Sequence, residues 1–383
     1  MRKICFVTGT RAEYGLLSRL IRLVHDDADL QLQLIATNMH LMPQYGETYR
    51  EIEADGFTID CKVYMDKPTD DAHGVVSSMA MEMQGMNDAF QSLQPDIVVL
   101  LGDRYEILVA AEVALLHRIP IAHIHGGETT EGAFDDAIRH SVTKMSSLHF
   151  TSCEAYRRRV IQMGEQPSRV FNVGSIGVEN IKSIPLMSRE ELENSLDFRF
   201  GDRTILVTYH PVTLGGDPAH DIHEFIRALE QIGDLRVIFT MPNSDTGRDA
   251  IADAIHRYVE QHPDTSKAFA SLGLKRYLST LQYVKAAVGN SSSGIIEVPS
   301  FGIPTLDIGD RQKGRLASQS VVHCGTSAAE VFTGLQRCLS PEFQVAVKQF
   351  PNPYDKLGTA RHIYEQLKSV DLTTLQQKHF YDL

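Results

Sequence analysis

Carboxylate and imidazole side chains cluster in two neighbouring strings of this sequence. The string AHIHGGE (residues 122–128) carries His125 and ends at Glu128, and DDAIRH (135–140) begins with Asp135. The first string ends an aliphatic run and the second opens a helical pattern, so these groups meet near the end of one predicted strand. Folding does not require so many titratable groups at one strand end, so the cluster favours a functional site.

A metal site and a purely structural role are the alternatives for these residues. His123 and His125 lie two apart on one strand face, but no third ligand stands at a matching spacing, which argues against a metal. For His123, a hydrogen-bonded core histidine is an equal alternative. Asp136 can simply place a negative charge at a helix N-terminus, whereas the clustering of Glu128 and Asp135 favours function.

The string LGDRYE (101–106) places Asp103 and Arg104 at the end of the most apolar predicted strand of the N-terminal half. Burying either charge is costly unless the charge is used or paired, so the two residues favour a functional role. A structural ion pair, or a helix cap formed by Asp103, is the alternative.

Three further strings are suited to bind an anion. TGTRAEYG (8–15) combines glycines, Arg11 and a helix start, and GNSSSGIIEVP (289–299) offers backbone N–H groups and serine hydroxyls at a helix start. Its Glu297 is placed to accept from ribose hydroxyls. DIGDRQKGR (307–315) gathers three cations at a strand end. The alternatives are a strand-to-helix turn with a surface arginine, a serine N-cap and a solvated charged loop.

Two more strings put polar side chains beside proline-stiffened turns at predicted strand ends. They are TYHPVT (208–213) and MPNSDTGR (241–248), for which ordinary loop polarity is the alternative. TGTRAEYG departs from the G-x-G-x-x-G pattern of dinucleotide sites, which argues against a dehydrogenase.

Length and composition bound the possible functions. With 383 residues the chain is long enough for two domains, and its formal net charge of −12 argues against nonspecific nucleic-acid binding. Five cysteines without a C-x-x-C spacing suit reduced thiols, so disulfides and structural zinc are not expected. The apolar run 4–7 is too short for a signal peptide or a membrane span, which favours a cytoplasmic protein without membrane partners.

Short aliphatic and β-branched runs alternate with helical patterns along the whole chain, as in parallel βαβ units. The strand pattern restarts at 204–208 after a polar helical stretch over 180–194, which indicates two doubly wound domains. Helices are predicted over 13–24, 105–116, 249–261 and 275–281. The predicted strands are 4–8, 32–37, 97–101, 119–124, 148–151 and 170–173, then 204–208, 235–240, 268–270, 284–288 and 305–306.

The order of these strings closely resembles the hydrolysing UDP-N-acetylglucosamine 2-epimerases of sialic acid synthesis, and their relatives acting on UDP-diacetylbacillosamine in legionaminic acid synthesis. The resemblance is near full length and includes TGTRAEYG, LGDRYE, HIHGGE, DDAIRHSVTKMS, YHPVT, PNSDTG, GNSSSGIIEVPSFGIP and GDRQKGR. It implies two Rossmann-like, doubly wound parallel-sheet domains of the GT-B-like type, with the active site in the cleft between them. The implied division is an N-terminal domain over 1–178 with the catalytic acids, a UDP-binding domain over 179–360, and a C-terminal helix and tail over 361–383 that packs back across the domains.

The resemblance also assigns roles to residues. Asp103, Glu128 and Asp135 match the acids of the family. Where some relatives read HIEGGE this chain has His125, so either His125 or Glu128 takes the role of that glutamate. His210 is placed near the diphosphate, in a catalytic or binding role. Contacts with the UDP-sugar are implied for Arg11, Ala12, Arg104, His210, Asn243, Ser291, Ser292, Glu297 and Arg311.

The implied reaction removes the C2 proton of UDP-N-acetylglucosamine with loss of UDP, then hydrates the resulting 2-acetamidoglucal to N-acetylmannosamine. It requires a base, an acid on the opposite face and donors for the diphosphate, but no cofactor and no metal. The implied partners are the nucleotide sugar, UDP and further copies of the chain in a dimer or tetramer. The alternatives are the diacetylbacillosamine substrate, a non-hydrolysing epimerase, a glycosyltransferase of the same fold, and a non-catalytic UDP-sugar-binding regulator.

Overall fold

The computed structural model describes residues 1–66, 69, 71–130, 134–212, 217–242, 247–375 and 377–383. The chain divides into two compact units, which we call the first and the second unit. The first unit comprises Met1–Glu128, Asp135–Asn180 and Tyr354–Leu383, and the second comprises Thr129–Phe134 and Ile181–Pro353.

The strands of the first unit are all parallel and occupy its centre. Those found within the described residues are β1 (Arg2–Thr8), β2 (Leu30–Thr37), β3 (Cys61–Val63), β4 (Ile97–Leu101), β5 (Ile121–Ile124), β6 (Leu148–Thr151) and β7 (Val170–Asn172). They form one sheet in the order β3-β2-β1-β4-β5-β6-β7. β4 reads IVVLL with all of its residues buried, as expected of a strand covered on both faces.

Helices alternate with these strands along the chain. In the described part of the chain they are α1 (Arg11–His25), α2 (Tyr49–Ala54), α3 (Ala72–Leu93), α4 (Tyr105–Leu116), α5 (Asp135–Met145), α6 (Glu154–Gln162) and α7 (Ile176–Ser183), followed at the C-terminus by α15 (Thr359–Ser369) and α16 (Leu372–Leu375). The C-terminal helix that the resemblance implied would pack back is part of the first unit, where α15 contacts α1.

The second unit repeats the arrangement with a smaller parallel sheet. Its described strands are β8 (Thr204–Thr208), β9 (Arg236–Thr240), β10 (Ser266–Phe269), β11 (Ala286–Gly289), β12 (Thr305–Ile308) and β13 (Val321–Cys324), in the order β10-β9-β8-β11-β12-β13. Its described helices are α8 (Arg189–Leu196), α9 (Pro218–Glu230), α10 (Arg248–Gln261), α11 (Gly273–Leu281), α12 (Ser292–Ile296), α13 (Ala328–Leu339) and α14 (Pro341–Ala346).

Local signals set the helix ends. Thr10 is the N-cap of α1 and accepts from the Glu13 N–H at 3.2 Å. Ser188 and Glu191 form a capping box at the start of α8. The polar stretch predicted as helical over 180–194 is therefore two helices, because Pro185 lies between α7 and the Ser188 cap.

Each sheet has one point where its winding reverses. In the first unit the strands β1 to β3 are added towards one edge of the sheet and β4 to β7 towards the other, so the reversal lies between β1 and β4. In the second unit the reversal lies between β8 and β11. We call these positions the first and the second switch point. Ligands of open α/β sheets bind at the carboxyl ends of the strands beside such points.

An ion cluster around the buried Glu165 carboxylate holds the C-terminal segment to the rest of the first unit. Lys378 Nζ lies 2.8 Å from Glu165 Oε2 and donates to the Ser146 carbonyl at 2.7 Å. Lys144 donates to Glu165 Oε1 at 2.6 Å, and His149 Nε2 lies 3.0 Å from Oε2. Burial by itself raises the pKa of Glu165, but the hydrogen bonds from His149, Lys144 and Lys378 outweigh burial and lower the pKa to about 2.

Replacing Glu165 by Gln should therefore lower the free energy of unfolding by about 2 kcal/mol near neutral pH. The carboxyl ionises near 4.5 when unperturbed and near 2 in the folded chain, so its contribution is complete above pH 4.5 and is lost as the pH falls towards 2. Denaturant unfolding of both proteins at several pH values should show the difference shrinking as the pH falls from 4.5 towards about 2. Glu154→Gln, whose half-exposed side chain forms surface pairs with Arg157 and Arg158, is the control and should cost less than about 0.5 kcal/mol. A pH-independent difference for Glu165→Gln would contradict the assignment.

Candidate active site

The strings singled out in the sequence lie at the carboxyl ends of strands around the two switch points. In the first unit TGTRAEYG follows β1, LGDRYE follows β4, and AHIHGGE ends the adjacent β5. In the second unit TYHPVT follows β8 and GNSSSG follows β11. The topology of each unit thus brings together residues that are far apart in the sequence.

Asp103 is held by an ion pair with Arg139. Its carboxylate accepts from Arg139 Nη2, and Arg139 Nη1 lies 3.3 Å from Asp136 Oδ1. The Arg139 side chain is 2% exposed whereas that of Asp103 is 21% exposed, so the carboxylate remains accessible to a ligand. The ion-pair alternative for Asp103 is thus observed, while the helix-cap alternative is wrong because the N-cap of α4 is Arg104.

His123 is a core histidine. Its Nε2 lies 2.8 Å from the Gly102 carbonyl and its Nδ1 lies 3.1 Å from Thr143 Oγ1. The ring is fully buried, and burial lowers the pKa of His123 to about 3, so the imidazole is neutral at physiological pH. His123 therefore holds the turn that leads into Asp103, as the structural alternative proposed.

His125 and Glu128 lie side by side after β5. His125 Nδ1 is 3.7 Å from Glu128 Oε1, and the same oxygen accepts from Ser152 Oγ at 2.7 Å. His125 has a φ of 67°, a left-handed conformation that is strained for a residue with a side chain. Backbone strain of this kind clusters at functional sites. The side chain of the neighbouring Glu128 is buried, because Glu128 is only 2% exposed. The turn thus places an imidazole and a carboxylate in proximity in a buried setting.

The first turn of α5 supplies the remaining acid. Asp135 begins the helix and is buried, and Asp136 Oδ2 lies 3.5 Å from His140 Nε2. Burial lowers the pKa of His140, although Asp136 opposes the shift. Sequence reasoning did not single out Arg139, whose available signal was its i, i+3 spacing from Asp136.

The two predicted cations of the first unit are both paired with carboxylates. Arg11 starts α1, and its Nη2 lies 2.5 Å from Glu51 Oε1. Arg104 Nε donates to Glu106 Oε1 at 2.7 Å, and the Glu106 side chain is fully buried. Ala12 follows Arg11 in the helix and is exposed. The carboxylates restrict the orientation of both guanidinium groups beside the first switch point.

Buried glutamates lie directly behind this switch point. Glu13 Oε2 accepts from the Gly9 N–H at 2.7 Å, and a Cβ on Gly9 would stand 2.6 Å from Glu106 Oε1. Burial, followed by the charge of Glu106, raises the pKa of Glu13 to about 8, so Glu13 is largely protonated at neutral pH. Sequence reasoning missed both residues, because a glutamate inside a helix ordinarily reads as a surface residue.

In the second unit, His210 and Arg311 are joined through Asn290. His210 is buried after β8, and the Asn290 side chain bonds to its backbone N–H and carbonyl at 2.7 and 2.8 Å. Arg311 Nη1 donates to the Asn290 carbonyl at 3.1 Å. The sequence singled out His210 and Arg311 but not Asn290, although Asn290 lies inside the GNSSSG string.

The serine-rich turn after β11 opens a helix of only one turn. Ser291 is the N-cap of α12 and accepts from the Ser293 N–H at 3.4 Å, and Ser292 is the first helical residue. Glu297 is the C-cap of this helix and is buried. The N-cap alternative is therefore the observed geometry. Any anion bound here would rely on individual N–H and hydroxyl donors rather than on the dipole of a long helix.

The charged loop after β12 is only partly solvated. Arg311 is buried, and Arg315 Nη2 lies 3.3 Å from Thr130 Oγ1. Lys313 is exposed, with its Nζ 4.0 Å from Asp310 Oδ1. The solvated-loop alternative thus applies to Lys313 and not to Arg311.

Asn243, predicted to contact UDP, lies outside the described residues. Among the residues that the structure describes, no three His, Cys, Asp or Glu side chains are grouped so as to hold a metal ion. Across those same residues, no helix is both long and apolar enough to span a membrane.

The chain is similar to known proteins over most of its length. Residues 22–368 match a family model described as UDP-N-acetylglucosamine 2-epimerase. The chain is 41% identical over 384 residues to the GDP/UDP-N,N'-diacetylbacillosamine 2-epimerase (hydrolyzing) of Campylobacter jejuni, covering 100% of this chain and 99% of that one. It is 38% identical over 392 residues to the polysialic acid biosynthesis protein P7 of Escherichia coli, covering 100% and 98%.

The fold is also found among solved structures. The chain aligns with the UDP co-structure of S. aureus MnaA at a TM-score of 0.80 and 16% identity, with 100% of both chains covered. Together with the two parallel sheets, this similarity confirms the predicted pair of Rossmann-like, doubly wound α/β domains.

Proposed function

Because the chain belongs to the UDP-N-acetylglucosamine 2-epimerase family, we propose that it is a hydrolysing 2-epimerase that converts UDP-N-acetylglucosamine and water to N-acetylmannosamine and UDP. The observation that carries the proposal is a set of three carboxylates in the first unit. Asp103 and Glu128 follow strands and contact Arg139 and His125 respectively, and Asp135 begins helix α5. A protein that only binds an anionic nucleotide has little use for several carboxylates that would repel it. This concentration therefore favours an enzyme over a binding regulator.

The proposed reaction has two steps. In the first, a carboxylate takes the C2 proton, the bond from C1 to the UDP oxygen breaks, and the electron pair of the C2–H bond forms the C1=C2 double bond of 2-acetamidoglucal. In the second, water adds at C1 and an acid delivers a proton to C2 from the opposite face, which inverts C2. No carbonyl adjoins C2 to acidify its proton, so stabilisation of the departing UDP must lower much of the barrier.

We assign proton transfer to Asp103, Glu128 and Asp135. His125 and Glu128, 3.7 Å apart, are proposed to act as a pair in place of the glutamate found in some relatives. A neighbouring imidazole gives Glu128 a partner with which to exchange a proton between the two steps.

UDP is proposed to bind to the second unit. The N–H and hydroxyl groups of Ser291 and Ser292, with His210 and Arg311, supply donors for the diphosphate, and Glu297 accepts from the ribose. Arg311 is buried and uses one Nη1–H on Asn290, while its planar fork of N–H donors suits a phosphate. From the first unit, Arg11, Ala12 and Arg104 are proposed to contact the nucleotide sugar.

A second candidate substrate is UDP-N,N'-diacetylbacillosamine. The similarity to the Campylobacter jejuni protein favours it, whereas the similarity to the Escherichia coli polysialic acid protein favours N-acetylglucosamine. The two sugars share the chemistry at C1 and C2, so the same acids serve either substrate.

Incubation of the purified chain with each nucleotide sugar in D2O tests the proposal. We expect free UDP together with the free 2-epimeric sugar carrying one deuterium at C2, because the proton removed from C2 exchanges with solvent before another is delivered. Binding without UDP release would instead indicate a regulator, and release of UDP-N-acetylmannosamine a non-hydrolysing epimerase. Transfer of the sugar to an added acceptor would indicate a glycosyltransferase.

The dimeric or tetrameric state and the cytoplasmic location stay predictions. Light scattering of the purified chain distinguishes a monomer from either oligomer.

A further inference from the structure

The turn after β11 brings its backbone directly against β8. Gly289 has a φ of 132°, and a Cβ at this position would stand 2.0 Å from the Thr208 carbonyl oxygen, so only glycine fits. The Asn290 N–H then donates to the same carbonyl at 3.2 Å. The contact between β8 and β11 thus continues one residue beyond the strand end and aims the Asn290 side chain at the chain leaving β8.

The Asn290 side chain forms a closed pair of hydrogen bonds with one residue. Its Oδ1 accepts from the His210 N–H at 2.7 Å, and its Nδ2 donates to the His210 carbonyl at 2.8 Å. This reciprocal pattern fixes the orientation of the amide, because the flipped amide would oppose donor to donor and acceptor to acceptor. Asn290 is fully buried, so both polar groups of the His210 backbone are held away from water.

The main-chain carbonyl of Asn290 connects to a third strand end. It accepts from Arg311 Nη1 at 3.1 Å and from Gln312 Nε2 at 2.8 Å. Both donors are buried and follow β12, the neighbour of β11 in the sheet. One residue therefore links the ends of β8, β11 and β12 at the second switch point.

We propose that Asn290 is a positioning residue that holds His210 and Arg311 at a fixed separation for the diphosphate, without itself touching the ligand. The inference rests on the proposed function, in which both residues donate to UDP. Donors set in place before the reaction stabilise a leaving group without having to reorganise, and a misplacement of about 1 Å costs about 100-fold in rate. A buried amide that bonds to both motifs supplies this rigidity.

Asn290→Asp is the primary test. The side chain keeps its size, and the nearby Arg311 guanidinium favours its ionised form. One oxygen then still accepts from the His210 N–H, but the second oxygen faces the His210 carbonyl and repels it. We expect kcat to fall about 100-fold and UDP affinity to fall about tenfold. Asn290→Ser, which is small and uncharged, is measured in parallel so that misfolding of the Asp variant cannot decide the outcome; the same direction of change is expected.

Gln344→Glu is the matched control. The Gln344 amide donates to the Lys285 and Cys338 carbonyls at 2.7 and 2.6 Å, in the same unit and away from the second switch point. We expect the Asn290 variants and this variant all to lose thermal stability, because each loses hydrogen bonds to main-chain groups. The kcat and UDP affinity of Gln344→Glu should nevertheless stay at the wild-type level. If all of these variants lose stability but only the Asn290 variants lose kcat, Asn290 has a positioning role and not a merely structural one.

A double-mutant cycle identifies the residues through which Asn290 acts. In a His210→Ala/Arg311→Ala background, Asn290→Asp should cost less than about threefold in kcat, because the side chains to be positioned are gone. The full loss of about 100-fold in that background would overturn the inference.

Calorimetric measurement of UDP binding to the wild-type chain distinguishes a failure of the inference from a failure of the proposed function. If the wild type binds UDP and Asn290→Asp has the wild-type UDP affinity and kcat, the inference is overturned while the proposed function stands. No UDP binding by the wild type would overturn the proposed nucleotide site and the inference with it.

Discussion

Asparagine in place of Asp103 or Asp135 should lower turnover about 1,000-fold while leaving UDP affinity within about threefold of wild type. Each substitution preserves the shape of the side chain and removes its ability to take up and release a proton. In Asp103→Asn the amide oxygen of the new side chain can still accept from Arg139, so the link from β4 to α5 survives. UDP release measured with a coupled assay gives turnover, and calorimetry gives UDP affinity.

Asp136→Asn is the matched control for these two variants. Asp136 shares the first turn of α5 with Asp135 and lies 3.3 Å from Arg139, but no proton-transfer role is assigned to it. Its replacement should cost less than about tenfold in turnover, through weaker orientation of Arg139. Full turnover by both Asp103→Asn and Asp135→Asn would show that the assignment of these acids is wrong.

Gly289→Ala should destabilise the second unit by about 3 kcal/mol or more and abolish tight UDP binding. The added Cβ would stand 2.0 Å from the Thr208 carbonyl oxygen, and the φ of 132° disfavours any residue with a side chain. Relief of this clash requires β11 to move away from β8, which would also displace Asn290 and its partners. The midpoint of thermal unfolding and the UDP affinity measure the two effects.

Gly233→Ala provides the comparison for Gly289→Ala. Gly233 lies in the same unit, and a Cβ there would meet no atom within 4 Å among the residues described. Its replacement should change stability by less than about 0.5 kcal/mol. Equal effects at the two positions would contradict the close approach of β8 and β11.

Buried central strands could be predicted from the sequence because both of their faces are covered. β4, β6 and β8 have the predicted bounds of 97–101, 148–151 and 204–208. The strands β3 and β13 were missed: both lie at sheet edges, and their partly exposed residues form no continuous buried run. For the long helix α3 the sequence predicted no bounds.

The candidate site was predictable where chemistry and topology coincide. Asp103, Glu128 and Asp135 follow strands or begin a helix, and ligand-binding residues gather there in parallel sheets. Their partners were not predictable, because Arg139 reaches Asp103 across 36 positions and sequence spacing does not encode such a contact. Asn290 was hidden for a different reason: a buried asparagine in a serine-rich turn looks like ordinary turn chemistry.

The return of the chain to the first unit has a consequence for its synthesis on the ribosome. Arg2 in β1 donates to the carbonyls of Lys368 and Val370 at 2.9 and 2.7 Å, and Ile363 and Leu367 of α15 belong to the same hydrophobic cluster as β1. A nascent chain that has completed β1 to β7 therefore still exposes the apolar surface that α15 covers. The second unit, whose residues end at Pro353, emerges complete while the unit made first still awaits α15 and α16.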